Sequence, residues 1–157
     1  MDRQERADRV YQQIKSHLDA RNFTYSPRDE ERIIVLIAQG DSLPMPVLIR
    51  VHGDRQIVHL ISTIPGGGFP EDRRADAAVA IALINDRLMN GAFTLDPDEG
   101  RIVFRVCQSF HDNILTEEQI HYLFSILFTT VNEYNVSLHK LESGAMTLEQ
   151  FVKKTQE

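Results

Sequence analysis

The 157 residues include no tryptophan and a single cysteine, Cys107. One cysteine excludes an internal disulfide and any zinc site built on several thiolates, and it fits a reducing compartment. Basic residues are also in deficit: 17 Lys and Arg face 23 Asp and Glu, a net charge of −6. A field of that sign repels phosphate backbones and anionic headgroups, so neither nucleic acid nor a membrane is an expected partner. Arg3, Arg6 and Arg9 alternate with Asp2, Glu5 and Asp8, which makes a solvated helix face rather than an anion-binding patch. No apolar run approaches the ~18 residues that span a bilayer, and MDRQERADRV is charged where a signal peptide has its apolar core. The expected location is the cytoplasm.

Chemically poised groups are scarce as well. Six histidines (His17, His52, His59, His111, His121 and His139) include no His-x-x-x-His or His-Glu pair, so they read as surface or half-buried residues rather than metal ligands. The serines lack a nucleophile elbow, and Cys107, at the end of a strand, reads as an inert buried thiol. The loop Pro65-Gly66-Gly67-Gly68-Phe69-Pro70 joins a strand to a helix, but it lacks the P-loop lysine and the dinucleotide spacing. Glu71 and Asp72 in the next turn oppose an anion, so the loop reads as a mobile connector. No catalytic residue, metal or cofactor is expected, and the chain reads as a non-enzyme.

What is present describes a scaffold. Hydrophobic residues at 42% and charged residues at 25% suit one soluble domain, which at this length buries roughly 70% of its unfolded surface. Ala7, Val10, Tyr11, Ile14 and Leu18 recur at spacings of three and four, predicting an amphipathic helix from Asp2 to about Ala20. Asn22, Ser26 and Pro27 break that period. The β-branched runs Arg32–Ala38, Pro46–His52 and Gln56–Ile64 predict three strands, the last two joined by a two-residue turn at Gly53-Asp54. A helix follows from Glu71 to about Met89, apolar nearly all round and therefore expected to be buried on several sides, against its own sheet or the matching helix of a second copy. A hairpin of Ala92–Leu95 and Arg101–Cys107 comes next. Two Thr-x-x-Gln capping boxes then open helices at Thr116 and Thr147.

The two-residue turn pairs Val51 with Gln56, Ile49 with Val58 and Val47 with Leu60 on one apolar surface. The opposite surface carries Leu48, Arg50, His52, Arg55, Ile57, His59 and Ile61, too apolar for open water and too charged for a core. Either a helix of the same chain covers it or it faces a partner. Leu48, Ile57 and Ile61 are therefore candidate protein-binding residues. Leu148, Phe151 and Val152 join them from the short last helix, which docks on its own domain or reaches a neighbour.

The stretch INDRLMNGAFTLDPDEGRIVFRVCQSF followed by LTEEQI, within this order of elements, resembles the YbjN family of small bacterial proteins, over about Arg9 to Tyr134. That family is described in terms of sensory transduction regulation, and its fold is similar to that of type III secretion chaperones. The resemblance implies an α+β fold in the order α-β-β-β-α-β-β-α-α, with one antiparallel sheet of about five strands packed by helices. Ser143-Gly144 ends the preceding region, so the residues themselves read as a single domain over 1–144 followed by a short amphipathic helix in 145–157, and that capped tail helix, like the PGGGF loop, departs from the family pattern. In function the resemblance implies a homodimeric adaptor or chaperone-like protein that binds another polypeptide. A small-ligand sensor, with a pocket between sheet and helix near the Gly-rich loop, is the alternative.

Overall fold

A computed structural model describes all 157 residues. Helix α1, Arg3–Ala20, opens on a capping box in which the Asp2 carboxylate accepts the Glu5 N–H at 2.8 Å and the Glu5 carboxylate accepts the Asp2 N–H at 2.9 Å. Its stripe of Ala7, Val10, Tyr11, Ile14 and Leu18 is buried. Six strands follow: β1 (Ser26–Arg28), β2 (Ile33–Gln39), β3 (Pro44–His52), β4 (Ile57–Thr63), β5 (Ala92–Leu95) and β6 (Ile102–Ser109). They form one antiparallel sheet in the order β1-β2-β3-β4-β6-β5. The strand beyond the expected five is β1. Pro27 marked it as a break, yet an edge strand tolerates a residue with no N–H to donate.

The β3–β4 connection is four residues, Gly53 to Gln56, not two. Gln56 takes a left-handed φ of 55° and is fully buried. Its amide donates to Gly53 O at 2.5 Å and Arg3 O at 2.9 Å, and accepts from Arg6 Nη1 at 2.7 Å. Val51 consequently pairs with Val58 and Ile49 with Leu60. A register shift of two leaves every side chain on the face the alternation assigns to it.

Helix α2 spans Arg74–Asn85, preceded by a 3₁₀ turn at Glu71–Arg73. It stops short of Met89 because Asn85 clamps it to the sheet: its amide donates to Phe93 O at 3.0 Å and accepts the Phe93 N–H at 2.9 Å. Only Ala77, Ala80 and Ile84 are buried. The chain itself covers only one side of this helix: Ala75, Ala78 and Ala82 are exposed and Val79 and Leu83 remain 45% and 36% accessible.

Helix α3, Glu117–Ser143, begins at the Thr116–Gln119 capping box and ends at Gly144, whose φ of 82° suits the left-handed helix stop. Helix α4, Leu148–Thr155, begins at the Thr147–Gln150 box and packs on α2 and α3. Phe151 is fully buried, with Met146 and Leu148 packed beside it. One core of 34 buried residues joins all four helices to the inward residues of β2 to β6.

Candidate protein-binding surface

Because every helix packs toward the inward side, alternate strand residues point away from the core onto a face that no helix covers. The register aligns them in rows across the strands. One row runs Val35, Leu48, Ile61, Arg105. The next runs Ile33, Arg50, His59, Cys107. Val35 and Leu48 are 36% and 37% exposed, and Ile37, which pairs with Pro46, is 71% exposed. Val35, Ile37, Pro46, Leu48, Ile61 and Thr63 line a shallow groove of about 300 Å³.

The two readings of this face thus separate: no helix of the chain lies over it. Leu48 and Ile61 stand in the groove, while Ile57 lies toward the other end of β4, opposite His52. Leu148, Phe151 and Val152 are not brought to it. They belong to α4, where Phe151 is sealed in the core. Ile37 and Val35 complete the groove, and their signal was the run IIVLIA, which is apolar on both alternating faces. Arg105 had no such signal, because the pairing of β6 with β4 is a long-range choice.

Cys107 corrects the expectation of a buried thiol. Val106 points inward, so Cys107 points outward, onto the uncovered face, and is exposed. His52 and His59 sit diagonally on the same face with ring centroids 6.2 Å apart. Arg105 Nε donates to His59 Nε2 at 3.2 Å, an arrangement for a neutral ring. Partial burial holds the pKa of each histidine below the usual imidazole value. Arg50 and Arg55 add to the effect at His52, and Arg105 and His52 add to it at His59. Cations so placed also oppose a metal ion.

The Gly-rich loop is pinned rather than loose. The Gly68 N–H donates to Glu142 Oε1 at 3.3 Å, and a Cβ on Gly66, whose φ is +136°, would overlap the same carboxylate. Arg73 Nη1 donates to Leu141 O at 2.9 Å and Arg73 Nη2 to Glu142 O, which ties the next turn to the end of α3. The chain's own carboxylate thus occupies the place an anion would need. The larger clefts lie elsewhere: one of about 490 Å³ includes Gln12, Gln13 and Glu117, and one of about 700 Å³ includes Lys140, Met146 and Lys153.

A second apolar surface is the outer side of α2, where Ala75, Ala78, Val79, Ala82 and Leu83 lie on one helix face. Small residues at these spacings let another backbone approach closely.

A six-stranded antiparallel sheet with its helices gathered on one face is the type III secretion chaperone-like α+β fold. The chain belongs to the YbjN family, whose description reads "Putative bacterial sensory transduction regulator"; the family model matches residues 11–139. Among solved structures it is similar to a chain of the ExsC–ExsE complex, at 16% identity and a TM-score of 0.63, over 88% of this chain and 97% of that one. It is also similar to YbjN from E. coli, at 13% identity and a TM-score of 0.59, over 81% of this chain and 92% of that one. No curated protein sequence matches it. No helix is long and apolar enough to cross a membrane.

Proposed function

We propose that this protein is a cytoplasmic, non-enzymatic regulator or chaperone-like adaptor that binds another polypeptide on the uncovered face of its sheet. The observation that carries this reading is the exposed strip of Val35, Ile37, Leu48 and Ile61 beside the groove they share with Pro46. Apolar surface concentrated in one contiguous patch marks an interaction site, because leaving it in water costs ~25 cal/mol per Å². Family membership supports a regulatory role, and the ExsC–ExsE complex is an instance of this fold in a protein–protein assembly. Ile37→Asp places a charge in the strip at a position 71% exposed, so the fold tolerates it while binding of a partner peptide falls. Unchanged binding by a correctly folded I37D protein would refute the assignment.

The outer face of α2 serves a different purpose in this reading, the contact between two copies. Light scattering should return about 36 kDa, twice the 18.0 kDa of one chain. Val79→Glu, at a site already 45% exposed, should return the mass of one chain. A wild-type protein that scatters as a monomer at every concentration removes the dimer from the proposal without touching the sheet face.

A further inference from the structure

The uncovered face has a property that an apolar strip does not require. None of the six strands contains an Asp or Glu, although acids outnumber bases 23 to 17 over the chain. Every basic residue in a strand (Arg28, Arg50, His52, His59 and Arg105) points to the uncovered face. Neither Arg50 nor Arg105 forms an ion pair with a carboxylate of the chain. Glu31 and Asp54 share a cleft with Arg50, His52 and Arg55 at the end of β3, without an ion pair to any of the three. An acidic protein has thus assembled unpaired cations on one surface, directly beside its exposed aliphatic row.

We infer that the partner is an extended segment of another protein in which aliphatic and acidic residues alternate. Running across the strands between the two rows, such a segment sends successive side chains to opposite sides. Its aliphatic residues fill the strip of Val35, Leu48 and Ile61 and its alternate carboxylates face Arg50 in the second row, while Arg105, which closes the aliphatic row, pairs with a carboxylate at the end of the segment. This deepens the reading that the face binds a polypeptide and rests on it. A second copy fits less well, because the strands of this face carry no carboxylate to pair with its own arginines. So does single-stranded nucleic acid, which favours Phe, Tyr or Trp platforms: the strands hold no Tyr or Trp, and their two phenylalanines, Phe93 and Phe104, are buried in the core.

The test measures anisotropy of labelled peptides of one common pattern: leucine alternating with glutamate, leucine with lysine, and serine with glutamate. Protection of Cys107 from alkylation reports whether binding is on this face. The leucine/glutamate peptide should bind best and protect Cys107. In Arg50→Glu/Arg105→Glu its affinity should fall about tenfold, as expected for two exposed ion pairs, while the leucine/lysine peptide gains. If the double reversal disturbs folding, Arg50→Gln/Arg105→Gln and a salt titration of the unaltered protein test the same point, since screening must weaken the acidic peptide selectively. Equal binding of acidic and basic peptides overturns the acidic preference and leaves the polypeptide-binding face standing. Absence of binding by every peptide, with Cys107 unprotected, overturns both. Tighter binding of oligothymidylate or phosphatidylglycerol vesicles than of the leucine/glutamate peptide also overturns the inference.

Discussion

Phe151→Ala tests whether the last helix is part of the fold or an arm for a neighbour. The ring is fully buried and belongs to the same core as α2 and α3. Removing a buried phenylalanine side chain costs about 3–5 kcal/mol, the transfer energy of the lost atoms plus the cavity left behind. Total stability for a domain is only about 5–15 kcal/mol, so the substitution consumes a large share of it. With a urea slope of about 2–3 kcal/mol/M, the unfolding midpoint should fall by roughly 1.5 M, with the slope itself little changed. Urea titrations followed by circular dichroism measure this directly. They must be run at fixed protein concentration, because the proposed dimer would add a concentration-dependent term. Truncation after Gly144 should lower stability at least as much. A midpoint that moves by less than about 0.5 M in both variants would refute the docking of α4 and return it to service as a contact arm.

The pinned loop and the buried histidine give two further expectations. Gly66→Ala should destabilise by about 1–3 kcal/mol, because its φ of +136° is foreign to alanine and the new methyl meets Glu142, whereas Gly67→Ala, with nothing near its Cβ, should stay within about 0.5 kcal/mol. Equal effects of the two substitutions in thermal melts would show that the loop is not held. His17 is buried against Phe124, with ring centroids 4.9 Å apart, and its Nδ1 lies 2.7 Å from Glu117 Oε1. Burial lowers its pKa against the opposing pull of Glu117, so the unfolded chain binds the proton first. Stability should therefore be complete above about pH 6.5 and decline as the pH falls toward the folded value. His52 and His59 shift the same way, so the comparison belongs in a His52→Gln/His59→Gln background. There His17→Phe should flatten the decline, and an unaltered slope counts against the assignment.

Local signals were legible and long-range ones were not. Both Thr-x-x-Gln boxes open helices at the predicted residues, since a cap is decided within four positions. The alternation in β3 and β4 survived an incorrect loop length because the error was an even number of residues. β1 has no signal in the sequence because three residues carry no periodicity, and Ser26 to Arg28 pair only where β2 is already in place. Composition along α2 promised burial all round, but how many sides of a helix are covered depends on the tertiary arrangement. The exposure of Cys107 has the same origin: its outward direction is legible from Val106 and Phe104, whereas the lack of anything above it is a tertiary property.

The exposed face is best understood through β2. The segment IIVLIAQ has the two-faced apolar pattern of a strand buried on both sides, yet only Ile34, Leu36 and Ala38 on its inner side lie deep in the core. Its outer neighbour β1 pairs with Ile33, Ile34 and Val35 alone, so Leu36 to Gln39 also lack a strand on the sheet edge. Ile37 is thus exposed both above the sheet and beside an open edge, the combination that invites unwanted pairing between copies. Polar residues at Val35 and Ile37 would remove that hazard without touching the core. Aliphatic side chains at these two positions, on the same face as Arg50 and Arg105, are what the proposed docking of an aliphatic and acidic segment requires.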